Sequence, residues 1–105
     1  MEFKIEDVKE LEPFINDEMK LKAIPRKNKK KLMAIYYLAT KLEKGREYSE
    51  KEINELLNNW TEFKDPATLR REMFDYYLIH RTTDCSLYWA VDEMPKFEDF
   101  IKRNI

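Results

Sequence analysis

From Leu32 to Leu42 the apolar residues Leu32, Ile35, Tyr36, Ala39 and Leu42 recur at helical spacing, while Lys31, Thr40 and Lys41 fall largely elsewhere. The pattern predicts an amphipathic helix, and Gly45 beyond it is placed for a left-handed C-terminal cap. Arg46-Glu47-Tyr48 reads as a short extended piece. Ser49 and Glu52 have capping-box spacing, so a second helix is expected from Glu50, burying Ile53, Leu56 and Leu57 and ending at Asn58-Asn59. Asp65-Pro66 supplies an N-cap and a favoured first residue for a third helix, with Leu69, Met73, Phe74 and Tyr77 on one face. Leu78 to Thr82 reads as a strand, Thr83-Asp84-Cys85 as a turn, and Ser86 to Val91 as the partner strand, with Leu87, Trp89 and Val91 alternating. Pro95 precedes an amphipathic segment, Phe97, Phe100 and Ile101, expected to dock on the body.

Upstream, Ile5, Val8, Leu11, Phe14, Ile15 and Met19 predict helix over residues 5–19, broken or restarted at Pro13. Met19, Leu21 and Ala23 alternate weakly, as a short strand or an extended lead-in, and Ile24 is biased toward extended backbone by Pro25. From Lys27 onward the order is helix, short strand, helix, helix, strand, turn, strand. That order predicts a mainly α fold with a small β-hairpin (α+β), winged helix-turn-helix-like, with extra N- and C-terminal helices. The expected organisation is one domain: a helical extension and lead-in over 1–24, the winged-helix-like part over 25–92 and a docking helix over 93–105. The segment NNWTEFKD is long for the turn between two helices. Trp60 and Phe63 in it are expected to plug the core.

Composition narrows the function classes. A hydrophobic fraction of 43% supplies a core, 39% charged residues a solvated exterior, and one glycine argues against a sandwich or barrel. Cys85 is alone, so an internal disulfide is not expected. The absence of an apolar run near the ~20 residues of a membrane span points to a cytoplasmic protein. Net charge is −1 but unevenly spread: residues 22–46 carry nine basic side chains against one acidic, while 47–65 carry two against six. A patch of this kind sets association behaviour even when the total is near zero.

Five of the six residues from Arg26 to Lys31 are basic: Arg26, Lys27, Lys29, Lys30 and Lys31. Cations in a helix's first turn oppose its dipole, whereas an anion there meets free N–H groups and lysines together. The run therefore reads either as a phosphate contact or as a solvated helix start paired with the acidic flanks. Arg70 and Arg71 lie on the third helix, which enters the major groove in DNA-binding winged helices. Each can contact DNA or form ion pairs, Arg70 with Glu72, Asp75 or Asp65. The carboxylates Glu47, Glu50, Glu52 and Glu55 work against DNA unless they point away or are paired. In each of the pairs Tyr36-Tyr37 and Tyr76-Tyr77 one ring is expected in the core and the other, Tyr37 or Tyr76, beside it. His80, on a partly buried strand position, and Cys85, in the turn, show no metal-ligand spacing. No cofactor, metal or catalytic residue is expected, and the chain is read as a non-enzyme.

The stretches IPRKNKKKLMAIYYLATKLEKGREYSEKEINELL, FKDPATLRREMFDYYLIHR and DCSLYW resemble the bacterial domain of unknown function 2087. That family shows a proline followed by a basic run, a Y-[ST]-E-x-E-[VI]-N helix start, an aspartate followed by T-L-R-R, and a terminal Tyr-Trp or Tyr-Arg pair. Where its members carry glycine, before the first hairpin strand and at the hairpin tip, this chain has Tyr76-Tyr77 and Cys85. Attachment of members to helix-turn-helix regulators of the ArsR kind implies a role in transcription. The expected partners are duplex DNA, or alternatively a homodimer or another regulatory protein, with no membrane involvement.

Overall fold

The computed structural model describes residues 9–104. Its helices are α1 (Asn28–Ala39), α2 (Glu50–Asn59), α3 (Pro66–Asp75) and α4 (Phe97–Asn104). Its strands are β1 (Tyr48–Ser49), β2 (Ile79–Arg81) and β3 (Leu87–Ala90). The strands form one antiparallel sheet in the order β1-β3-β2. The fold is α+β: four helices and a small three-stranded sheet among the described residues.

α1 is the centre of the molecule. Every residue from Leu32 to Ala39 is buried, not the single face that the spacing predicts. α3 packs on one side and α4 on another, and a helix covered all round is apolar all round. α1 stops at Ala39, with Thr40 as its C-cap. Gly45 is left-handed, at φ 80°, but sits five residues past Thr40 in the turn before β1, so it does not cap α1.

α2 begins as its sequence dictates. Ser49 Oγ accepts from the Glu52 N–H at 3.1 Å, and Glu52 Oε1 accepts from the Ser49 N–H at 2.9 Å. Ile53 and Leu57 are buried and Leu56 is half-buried. The Glu52 carboxyl is held below the usual carboxylate range, first by the Ser49 N–H, then by the Ser49 hydroxyl and Arg46. Ser49→Ala is therefore expected to cost about 1 kcal/mol, read as a fall in Tm of roughly 4 °C. Because the folded-state pKa of Glu52 is depressed, its contribution is present above the unfolded value of about 4.3 and disappears as pH falls through the folded value. The Tm gap between wild type and Glu52→Gln, open at neutral pH, should close on acidification through that window.

Asp65 caps α3 by accepting from the Thr68 N–H at 3.4 Å, and Pro66 opens the helix. The long α2–α3 loop has a structural task. Leu21 donates its N–H to the Trp60 carbonyl at 2.9 Å and accepts from the Glu62 N–H at 2.8 Å. Trp60 and Phe63 are half-buried against the core, as expected of them.

Other expectations are corrected. Of the predicted helix over 5–19, residues 5–8 lie outside the described residues. The rest forms a 3-10 turn at Glu12–Phe14 containing Pro13. Ile15 then bridges Leu21, and the Asn16 side chain accepts from the N–H groups of Glu18 and Lys20. That side-chain turn competes with helix continuation, and Met19 is left-handed at φ 66°.

On β3 the inward residues are Tyr88 and Ala90, while Leu87 and Trp89, and Val91 just beyond the strand, are half-buried. Pairing explains the parity: Tyr88 faces buried Tyr48, and Ala90 faces buried Ile79. His80 is consequently on the outer face, exposed beside Trp89. The tyrosine pairs also differ from expectation. Tyr37 is buried, and Tyr77, outside α3, is 74% exposed. Tyr77 and Cys85 are left-handed, at φ 61° and 63°, at or beside the positions where the resembling family carries glycine.

Candidate functional site

The basic run opens α1. Lys27 is its N-cap, without a side-chain capping bond, and no acidic residue stands in the first turn. The amino-terminal N–H groups and their positive partial charge thus lack a carboxylate from the helix itself. Arg26 and Lys27 are exposed and Lys30 is half-buried. None of these three has a carboxylate partner among the described residues. Lys29 lies 3.7 Å from Glu10, with both side chains about half exposed. Lys31 is bound more firmly, at 2.9 Å from Glu72 of α3. The hydrogen bond to Glu72 raises the Lys31 pKa, against a smaller opposing effect of burial.

The Lys31–Glu72 pair ties the start of α1 to one flank of α3. On the solvent face of α3 stand Ala67, Thr68, Arg71 and Asp75, all exposed. Arg71 has no ion-pair partner among the described residues.

Arg70 is occupied differently. Its side chain is only 15% exposed, and Nη1 donates to Glu50 Oε1 at 3.2 Å and to the Tyr88 hydroxyl at 2.7 Å. It joins α3 to the start of α2 and to β3. The pairing partner is Glu50, not the Glu72, Asp75 or Asp65 that neighbouring sequence offers. The pairing also uses one of the carboxylates that would repel phosphate, and a second, Glu52, is engaged by its capping box and by Arg46 at 3.3 Å. Glu47 and Glu55 remain exposed.

Arg81 of β2 was not among the residues singled out from sequence. Its guanidinium lies over the Phe74 ring, 4.4 Å from the centroid, and Nη1 donates to the carbonyls of Thr82 and Thr83 at 3.1 and 3.5 Å. The signal was strand parity: Arg81 shares a face with Ile79, which points inward toward α3. Lys41, by contrast, is not available as a surface cation. It stacks over Tyr37 at 4.4 Å and Trp60 at 4.1 Å, and burial lowers its pKa.

The seven sequence candidates therefore divide. Arg26, Lys27, Lys30 and Arg71 have no carboxylate partner among the described residues, Lys31 and Arg70 are structural links, and Lys29 is loosely paired. Among the described residues no group of three or more His, Cys, Asp or Glu is placed to hold a metal ion. No helix there is long and apolar enough to cross a membrane.

No curated protein and no solved structure matches the chain. The profile of the family described as "Uncharacterized protein conserved in bacteria (DUF2087)" matches residues 20–90, from the lead-in of α1 to the end of β3, and the chain belongs to that family.

Proposed function

We propose that this chain is a non-enzymatic winged-helix-like module that acts in transcriptional regulation by contacting nucleic-acid phosphates. The observation that carries the reading is a set of four cations, on two adjoining elements, that have no carboxylate partner among the described residues. Arg26, Lys27 and Lys30 surround the uncapped start of α1, and Arg71 stands on the outer face of α3, which Lys31–Glu72 fastens alongside. The chain order from α1 to β3 and the strand order β1-β3-β2 support the winged-helix part of the reading. In that arrangement α3 is the helix offered to the groove, and phosphate contacts around it set the position of the protein on the duplex. Arg70, held by Glu50 and Tyr88, supports α3 and is not offered to bases.

A short duplex titrated into the isotope-labelled protein at low salt tests the reading. Amide shifts should concentrate at residues 26–31 and 67–75. No shifts at all, or shifts confined to the turn around exposed Tyr77, would instead favour a module that binds protein, whether a second copy or a regulator.

A further inference from the structure

Between α3 and the β2–β3 hairpin lies a groove of about 450 Å³, walled by Arg70, Arg71, Phe74, Asp75, Arg81 and Tyr88. Three arginines and one aspartate line it, and of the arginines Arg70 is paired with Glu50. Asp75 forms no ion pair with any of them among the described residues, so the groove does not neutralise itself.

Arg81 is held in place by Phe74 and by two carbonyls on Nη1. Its Nε–Nη2 edge has no acceptor among the described residues. That edge is the planar two-donor fork that grips oxyanions in bidentate fashion, and fixing the side chain beforehand reduces the ordering needed on binding. Arg71, without an ion pair among the described residues, lines the same space. Behind them Arg70 commits Nη1 to Glu50 and Tyr88, while its Nε is buried without a partner. A carboxylate satisfies one such fork. Arg71 and Arg81 lining one space, with a single carboxylate beside them and Arg70 already paired, suit a tetrahedral anion with more oxygens and more charge.

We propose that this groove is a seat for a phosphate group, gripped by Arg81 and Arg71 with Arg70 behind. The inference goes beyond the duplex reading, with which it shares Arg71. It lies on the hairpin flank of α3, away from the α1 cations, and its ligand is a phosphate oxyanion whether carried by a small ester or by a nucleic-acid backbone.

The test follows the Nε–Hε resonances of Arg71 and Arg81 in the full chain during titration with sodium pyrophosphate and, separately, with a short duplex. Saturable shifts are expected with pyrophosphate, weakened at least about 10-fold in Arg71→Gln and in Arg81→Gln and unchanged in Arg26→Gln. Arg71→Gln alters an exposed position, so it keeps the test decisive if Arg81→Gln disturbs the hairpin. Shifts with pyrophosphate but no duplex binding would support the groove and remove the duplex reading. Shifts with the duplex alone would identify the phosphate as backbone. No saturable shift in either titration, or shifts indifferent to both groove variants, overturns the proposal.

Discussion

Tyr36→Ala is expected to destabilise the protein by about 3–5 kcal/mol and to loosen α4. The Tyr36 side chain is fully buried. Its ring meets Phe97 edge-on and Phe100 at a tilt, both with centroids 5.3 Å away, and its hydroxyl donates to the Pro95 carbonyl at 2.7 Å. One side chain of α1 therefore contacts the start of α4, the middle of α4 and the residue leading into it. Against a typical domain stability of about 5–15 kcal/mol, the loss removes a large share of the total and unfolds a domain at the low end of that range. Tyr36→Phe keeps the ring and should cost only about 0.5–1.5 kcal/mol for the hydrogen bond. Urea titration measures both values, and hydrogen exchange at Phe100 and Ile101 reports the release of α4. A loss below about 1 kcal/mol in Tyr36→Ala, with α4 protection unchanged, would show that this contact does not hold α4.

Elements with local signals were legible from sequence. Ser49 with Glu52, and Asp65 with Pro66, place the starts of α2 and α3 because capping chemistry acts within four residues. Phe97, Phe100 and Ile101 likewise announce a docked helix. What failed depends on distant partners. Leu87 and Trp89, continued by Val91 just past β3, form the more apolar set, yet the inward face belongs to Tyr88 and Ala90 because Tyr48 and Ile79 lie opposite them. The all-round burial of α1 needs α3 and α4 in place before it can be read. The early end of the N-terminal turn follows from Asn16 engaging the backbone of Glu18 and Lys20.

The site was legible to the same extent. The basic run is visible as composition, but its partial neutralisation is tertiary, since Glu10 and Glu72 come from segments on either side of it. Arg70 finds Glu50, twenty residues earlier, because α2 and α3 pack together. Arg81 enters the site only through the hairpin, which folds β2 against the flank of α3.

The second large effect concerns binding. In the variant Arg26→Glu/Lys27→Glu/Lys30→Glu, duplex affinity should fall at least about 100-fold from a non-specific Kd in roughly the 10⁻⁴ to 10⁻⁶ M range. Three of the four cations without a carboxylate partner among the described residues are lost, and three carboxylates are set against phosphate. Folding should not suffer, because carboxylates around the amino end of α1 complement its dipole, each by about 0.3–1 kcal/mol. Binding and stability thus move in opposite directions, which separates lost contacts from lost structure.

Fluorescence anisotropy of a labelled duplex, followed across a salt series with the unmodified protein and this variant, is the most direct measurement. With three to four phosphate contacts, log affinity should fall against log salt with a slope of about −2.7 to −3.6, and the variant should bind at least about 100-fold more weakly with a much flatter slope. Absence of binding by the unmodified protein even at the lowest salt, or an affinity that the three reversals leave unchanged, would contradict phosphate docking at the start of α1.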